Sequence, residues 1–267
     1  MYCIMRIAII GAGNMGGAIA RGLIKGTLFA PQDITCTAKS EATTLKLRHL
    51  LPGVKILTDN CEAVADADFV VISVKPWLME SILAEISPVL DFSRQIVISV
   101  AAGIPFETLC AYLKVEQSVP TLFRVIPNTA VEVLSSMTFI ASHNASVEQC
   151  DMVEKIFSQL GHVIMIDESH MASATILASC GIAFAMRYIR AAAEAGVELG
   201  FSPAMAHKIV EHTVKGAAVL LLQSGNHPEV EIDKVTTPYG ITIKGLNAME
   251  NEGFTSAVIK GLKACIK

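Results

Sequence analysis

Close to its start the chain carries the segment Gly11-Ala12-Gly13-Asn14-Met15-Gly16, directly after an apolar run that ends at Ile10. A helical stretch follows it. In a strand–turn–helix unit the first glycine permits a tight turn, the second lets backbone amides approach a pyrophosphate, and the third lets helix and strand pack closely. The segment therefore predicts a dinucleotide-binding turn, and the alternative is a glycine-rich turn with a purely structural role.

Short β-rich runs alternate with helical stretches over residues 1–166. The runs are almost continuously apolar, which is typical of strands buried on both faces of a parallel sheet. We predict strands at residues 5–10, 34–37, 55–57, 69–74 and 95–100, with further strands near 118–125, 138–141 and 163–166. The repeated β–α–β order predicts an N-terminal Rossmann domain of the α/β class, with a doubly wound sheet.

Residues 167–267 differ in composition and in the spacing of their apolar residues. Ala, Met, Leu, Glu and Lys recur at helical spacing, and no β-branched run is long enough for a convincing strand. We therefore predict an all-helical C-terminal domain after a boundary at 166/167. Asp167, Glu168 and Ser169 supply candidate N-caps and negative charge for a helix that begins near His170.

Composition argues against several kinds of site and partner. The chain has 267 residues with scattered Lys and Arg and a formal net charge of -4, so no basic face for nucleic acid is expected. Its seven cysteines include no Cys-x-x-Cys pair, which predicts reduced thiols in the cytoplasm and neither a zinc site nor a disulfide framework. His207 and His212 are five residues apart, off the spacing that shares one helical face, so we predict no metal site.

Hydropathy raises the question of a membrane. The mean hydropathy is +0.51, and residues 172–186 form the longest uncharged apolar stretch. This stretch is shorter than the ~20 residues that a bilayer span needs, and Arg187 and Arg190 close it. We predict a buried helix and no membrane contact. Because the stretch is apolar and rich in small residues, we also predict a homodimer built on the helical domain.

The end of the second predicted strand is where a Rossmann fold usually selects its cofactor. An acidic residue there would hold the ribose hydroxyls of NAD, whereas this chain has Lys39 and Ser40. A cation and a hydroxyl suit a 2′-phosphate, so we predict NADPH. NADH stays open because Glu41 is near, and the alternative for Lys39 is a solvated loop lysine.

Three further segments follow predicted strands, at the edge where open α/β sheets bind ligands. Val74-Lys75-Pro76 would end a strand and aim the chain across the cofactor. The small residues of Ala101-Ala102-Gly103 leave space for a nicotinamide ring, and Asn128 follows another strand. Each segment has an alternative role in packing or in a turn.

The combination of motifs resembles the pyrroline-5-carboxylate reductase family. The resemblance rests on the glycine segment, on Asp59-Asn60 and on the three segments above. It rests most on a C-terminal signature, Val235-Thr236-Thr237-Pro238-Tyr239-Gly240-Ile241-Thr242-Ile243-Lys244-Gly245-Leu246. The match runs nearly from end to end.

The resemblance implies a reductase that transfers a hydride from NADPH to the C=N bond of 1-pyrroline-5-carboxylate, a cyclic imine. The product is L-proline, and the reaction is the last step of proline biosynthesis. Thr242 matches the catalytic threonine, whose hydroxyl meets the imine nitrogen. Family members dimerise through interleaved helices, and the dimers often assemble further into decamers.

Two groups of binding residues complete the prediction. Backbone amides that open a helix could hold the substrate carboxylate, and the predicted substrate contacts are Thr237, Gly240, Ile241 and Ile243. The predicted cofactor contacts are Gly11, Gly13, Asn14, Met15, Gly16, Lys39, Ser40, Asn60, Val74, Lys75, Pro76, Ala101, Ala102, Gly103 and Asn128. The alternative for Thr242 is a helix N-cap that does not touch substrate.

The chain also departs from the family pattern. Tyr239 stands where the family usually has glycine, Ile241 replaces Thr or Ala, and Cys180 has lost a hydroxyl. These differences leave open a reductase for a related cyclic imine. A β-hydroxyacid dehydrogenase would use a lysine early in its helical domain, and residues 172–186 contain none. The third alternative is a dinucleotide-binding protein without catalytic activity.

Overall fold

The computed structural model describes residues 5–114 and 119–266, and eight strands form one sheet there. The strands are β1 (Ile7–Ile10), β2 (Ile34–Thr37), β3 (Lys55–Leu57), β4 (Phe69–Ile72), β5 (Ile96–Ser99), β6 (Leu122–Ile126), β7 (Ser136–His143) and β8 (Gly161–Met165). Each predicted strand has its counterpart. Ser118, where one predicted strand begins, lies outside the described residues.

The strand order is β3-β2-β1-β4-β5-β6-β7-β8, and the first six strands in the chain pair in parallel. The order reverses at β1, with β2 and β3 on one side of it and β4 to β6 on the other. Ligands bind at such a switch point, outside the carboxyl ends of the strands. The predicted doubly wound Rossmann sheet is therefore confirmed.

One pair of strands departs from the parallel pairing of the other neighbouring strands. β7 runs antiparallel to β6, and β8 runs parallel to β7. Residues 127–135 connect β6 to β7. That connection is too short for the crossover of about a dozen residues or more that a parallel pair requires, so the chain turns back instead.

Helices cover both faces of the sheet. They are α1 (Asn14–Lys25), α2 (Glu41–Leu50), α3 (Asn60–Ala65), α4 (Met79–Ile86), α5 (Phe106–Leu113), α6 (Val147–Ser158) and α7 (Met171–Thr175). Side chains of a strand alternate between faces, so Ile7 and Ile9 enter one core while Ala8 and Ile10 enter the other. The first core is covered by α1, α2 and α6, and the second by α3, α4, α5 and α7.

Contacts divide the chain into two compact units, Met1–Ser179 and Cys180–Lys267. This division lies later in the chain than the domain boundary at 166/167 that the change in composition predicts. The reason is that Met171, Ala174 and Ala178 are buried, with Met171 in the core beneath α4 and α5. The first helical turns after the sheet therefore pack with the first unit.

The second unit consists of helices, as predicted. They are α8 (Gly181–Glu198), α9 (Pro203–Ser224), α10 (Pro228–Lys234), α11 (Ile241–Asn251) and α12 (Phe254–Lys263). α8 and α9 approach closely at Gly196. A Cβ added to Gly196 would lie 2.9 Å from the Cβ of Ala206. Within residues 180–266, Ala193 and Ala206 are the only fully buried residues.

The helical run Glu168–Glu198 is long and apolar enough to cross a membrane, judged by length and composition alone. Only 11% of the apolar stretch within this run is buried. The run comprises a 3-10 turn (Glu168–His170), α7, a π-helical segment (Ile176–Cys180) and α8. Met186 on α8 is 58% exposed. The prediction of a buried helix is therefore wrong for the single chain, because few side chains of the second unit cover α8.

Candidate active site

The glycine turn has the geometry that its sequence predicts. Gly11 has φ +84, and a Cβ there would lie 2.6 Å from Cγ1 of Val74 and 2.9 Å from the carbonyl oxygen of Ser73. A Cβ on Gly16 would lie 2.7 Å from the carbonyl oxygen of Gly11. Side chains at either position would force the turn apart, so both glycines are needed for the fold.

Gly13 plays a different part in the same turn. A Cβ on Gly13 would meet nothing within 4 Å, so packing does not require glycine here. Gly13 is also the N-cap of α1, and no side chain caps the helix. The start of α1, with Asn14 and Met15 as its first residues, is therefore an open, positively polarised end that suits a pyrophosphate.

The turn is anchored on β2. The backbone N–H of Gly11 donates to Oγ1 of Thr37 at 3.1 Å, and the N–H of Ala12 donates to the carbonyl oxygen of Thr37 at 2.7 Å. Lys39 and Ser40 come after Ala38 and are exposed. The Ser40 hydroxyl caps α2 by accepting from the N–H of Thr43 at 3.2 Å. The candidate 2′-phosphate residues thus lie beside a second helix N-terminus.

Asn60 and the β4 loop lie at the same carboxyl edge of the sheet. Asn60 begins α3, and its side-chain nitrogen donates to the Glu85 carboxylate at 3.2 and 3.3 Å. Val74 packs against the glycine turn, while Lys75 and Pro76 are exposed. Pro76 starts a 3-10 turn and so carries the chain away from the strand.

The loop after β5 is small and open, as its sequence predicts. Ala101 is buried, whereas Ala102 and Gly103 are exposed. Gly103 has φ +80, a left-handed conformation that favours glycine, and a Cβ there would meet nothing within 4 Å. Among the described residues, the space beside Gly103 is therefore open.

Asn128 is buried, and its side chain is used within the fold. Its oxygen accepts from the N–H of Ala130 at 3.0 Å, and its nitrogen lies 3.5 Å from the carbonyl oxygen of Ala178. Its backbone N–H donates to the hydroxyl of Ser136. These contacts match the turn role that the sequence left open for Asn128, and its predicted contact with a cofactor stays a prediction.

Sequence reasoning missed the ion pair between Arg124 on β6 and Glu168. Nη1 of Arg124 lies 2.7 Å from Oε1 of Glu168, which also accepts from the N–H of Phe106 at 2.7 Å. Glu168 therefore does not act as the predicted helix cap, and Asp167, the N-cap of the short 3-10 turn there, makes no side-chain capping bond. The sequence does contain a signal for this pair, because Arg124 is the one charged residue in an otherwise apolar strand.

Thr242 and the predicted substrate residues belong to the second unit. Gly240 is the N-cap of α11, so the alternative role of Thr242 as the cap is wrong. No side chain caps α11, and its first turn contains no acidic residue. A Cβ on Gly240 would lie 2.8 Å from Oγ1 of Thr237, so the turn requires glycine. Ile241 and Thr242 are exposed, and Ile243 is half-buried.

Thiols near the cofactor edge are poor nucleophiles. Burial raises the pKa of Cys36 on β2 to about 12. The pKa of Cys61 is also raised, by burial first and then by the negative charges of Glu85 and Asp59. Because the thiolate is the reactive form, neither cysteine is activated. This part of the site is therefore suited to binding and orienting, not to covalent catalysis.

The fold and the open glycine turn define a dinucleotide-binding protein with a helical second unit. A family model for the pyrroline-5-carboxylate reductase dimerisation domain matches residues 168–267, and one for NADP oxidoreductase, coenzyme F420-dependent, matches residues 6–103. The chain belongs to the pyrroline-5-carboxylate reductase family. The predicted family is thereby confirmed, in preference to the β-hydroxyacid dehydrogenases.

Individual relatives agree with this assignment. Pyrroline-5-carboxylate reductases 1 and 2 of Dictyostelium discoideum are both 40% identical to the chain and match 96% of it. The chain spans 48% of the first relative and 89% of the second. The crystal structure of Plasmodium falciparum pyrroline carboxylate reductase with NADP bound is 26% identical, with a TM-score of 0.87, and the match covers 98% of this chain and 95% of that one.

Proposed function

We propose that this chain reduces 1-pyrroline-5-carboxylate to L-proline with NADPH as the hydride donor, the last step of proline biosynthesis. The observation that carries the proposal is membership of the reductase family across both units. The test is to mix the purified chain with NADPH and the imine, and to measure proline formed for each NADPH oxidised. One proline for each NADPH is expected, and oxidation without proline would contradict the proposal.

The first unit fits a dinucleotide because glycines allow a tight turn after β1 and no side chain caps the N-terminus of α1. Amides at the start of α1 hold the pyrophosphate, while Lys39 and Ser40 hold the 2′-phosphate. When bound, NADPH supplies the hydride. Further cofactor contacts are proposed for Gly11, Gly13, Asn14, Met15, Gly16, Asn60, Val74, Lys75, Pro76, Ala101, Ala102, Gly103 and Asn128.

In the second unit, α11 is proposed to hold the substrate. Its uncapped amides at Ile241 to Ile243 bind the carboxylate through the positive end of the helix. The hydroxyl of Thr242 donates a hydrogen bond to the neutral imine nitrogen, which gains negative charge as the hydride adds to the neighbouring carbon and then takes up a proton to become the amine of proline. Gly240 and Thr237 keep the turn before the helix in place.

The proposed 2′-phosphate site can be tested at Lys39. Lys39→Glu is expected to lower the preference for NADPH over NADH, because a carboxylate repels a phosphate and accepts from ribose hydroxyls. The ratio of kcat/KM for the two cofactors measures the effect. Lys46→Glu changes the same charge at another exposed position on α2 and should leave the ratio unchanged. An unchanged ratio in Lys39→Glu would show that Lys39 is a solvated loop lysine that does not contact the 2′-phosphate.

We propose that the second unit forms a homodimer, since its helices leave large apolar side chains uncovered. Leu222 is 84% exposed, Leu199 is 80% exposed, and α8 presents Met186. A surface of this kind is typical of an interface between chains. Assembly of dimers into a decamer, a cytoplasmic location and the lack of nucleic-acid or membrane partners are parts of the same proposal.

A charged residue on α8 should weaken the dimer. Met186→Glu is expected to raise the dimer dissociation constant by about tenfold or more, because a carboxylate would lose its water in an apolar interface. Sedimentation velocity over a dilution series measures it. Leu45→Glu, on the exposed face of α2, is the control and should sediment as wild type does. A wild-type chain that is monomeric at micromolar concentration would contradict the proposed dimer.

A further inference from the structure

The loop between β5 and α5 is held at both of its ends by groups around Arg124. At its start, Ser99 closes β5 and is the register partner of Arg124 on β6. At its end, Phe106 begins α5 and donates its N–H to Glu168, the ion-pair partner of Arg124. The open residues of the loop, Ala102 and Gly103, lie between these two attachments.

The aromatic ring of Phe106 provides a second attachment. The guanidinium carbon of Arg124 lies 6.0 Å from the centre of this ring, and the ring stacks on His143 with centroids 5.3 Å apart. Both the backbone and the side chain of Phe106 are therefore fixed. A residue held in this way sets where the preceding loop can lie.

The ion pair between Arg124 and Glu168 is not the arrangement that would give this site the greatest stability. Arg124 is 6% exposed, and its Nε is buried without a hydrogen-bond partner in the part of the chain that the structure describes. A buried donor without a partner costs folding free energy, and apolar side chains of similar volume often stabilise such a site more. The geometry that the pair imposes is therefore a reason for it to be present.

We propose that Glu168, held by Arg124, is a positioning residue that fixes the β5–α5 loop against the nicotinamide end of the cofactor. This inference rests on the proposed function, because it places the nicotinamide beside Ala102 and Gly103. The phosphates are held elsewhere, at α1 and Lys39. Loss of Glu168 should therefore affect hydride transfer much more than the affinity for NADPH.

Three variants of Glu168 separate position from charge. Glu168→Ala removes the acceptor for Phe106 and should lower kcat by about ten- to a hundredfold, the effect of a misplacement of roughly 1 Å. Glu168→Asp keeps the charge but is one methylene too short to reach both partners, so it should lose nearly as much. Glu168→Gln keeps the length and an acceptor oxygen, and should retain most of kcat.

Two further readouts distinguish positioning from general damage. The dissociation constant for NADPH should stay within about twofold of wild type in all three variants, since the phosphate contacts are distant. The fluorescence of bound NADPH, which comes from the nicotinamide, should change in Glu168→Ala and Glu168→Asp. Glu107→Ala removes an exposed carboxylate from the first turn of α5 and should change none of these values.

The outcomes decide the matter even if one variant does not fold. If Glu168→Ala is insoluble, the comparison of Asp with Gln carries the test. Equal kcat in Asp, Gln and wild type, with unchanged NADPH emission, would overturn the proposal, as would a loss of NADPH affinity that parallels the loss of kcat. The emission is measured without substrate, so it still tests the loop if wild type proves unable to reduce the imine.

Discussion

Thr242→Val is expected to lower kcat by about ten- to more than a hundredfold while the affinity for NADPH stays unchanged. The valine keeps the shape of threonine and removes the hydroxyl that is proposed to meet the imine nitrogen. The nitrogen gains negative charge as the hydride arrives, and a hydrogen bond to a charged acceptor contributes about 1.5 to 3 kcal/mol, which corresponds to that range of rates. Steady-state kinetics at saturating NADPH measures the effect.

Thr242→Ser is the matched control, because it keeps the hydroxyl donor and should retain most of the activity. The structure strengthens the design of this pair. Since Gly240 is the N-cap of α11, valine at 242 does not remove a cap, and the fold should be preserved. Turnover of the valine variant within about twofold of wild type would show that imine activation does not depend on this hydroxyl.

Gly13→Ala is expected to weaken NADPH binding by about tenfold or more, at least ~1.4 kcal/mol, without a matching loss of stability. A methyl group here meets nothing within 4 Å among residues 5–114 and 119–266. It does project into the open space before α1, where the pyrophosphate is proposed to bind. Equilibrium titration of NADPH and thermal unfolding, both on the same preparation, measure the two effects.

Two other glycines frame this experiment. Gly216→Ala on α9 makes the same chemical change, also with nothing within 4 Å, and should alter neither quantity strongly. Gly16→Ala places a Cβ 2.7 Å from the Gly11 carbonyl oxygen and should lower stability as well as affinity. If Gly13→Ala binds NADPH as wild type does, the cofactor does not cross the turn at Gly13.

The sheet was predictable from the sequence because buried parallel strands are short apolar runs between helices. The direction of β7 was not, since its apolar residues alternate in the same way whichever way the strand runs. The exposure of α8 was also beyond sequence reasoning for one chain. An apolar helix predicts that something covers it, yet Met186 is exposed in the part of the chain that the structure describes.

The glycine turn was predictable because its strand–turn–helix setting lies within one short stretch of sequence, although Gly11 is also needed for its close approach to Ser73 and Val74 after β4. The ion pair was not, because Arg124 and Glu168 are 44 residues apart and meet through the path of the chain around β7 and β8. The internal role of Asn128 depends likewise on Ala178, fifty residues away. Residues whose roles depend on distant partners lie outside the reach of sequence patterns.

The reversal between β6 and β7 has a consequence for how the sheet assembles from the unfolded chain. Pairing these strands closes a loop of only residues 127–135, whereas each parallel pair must first bring together strands separated by a helical crossover. The entropy lost on closing a loop increases with its length, and local contacts form faster than distant ones. The strand pair that can nucleate with the least loss of chain entropy therefore lies on the β8 side of the sheet, three strands away from β1 and its glycine turn.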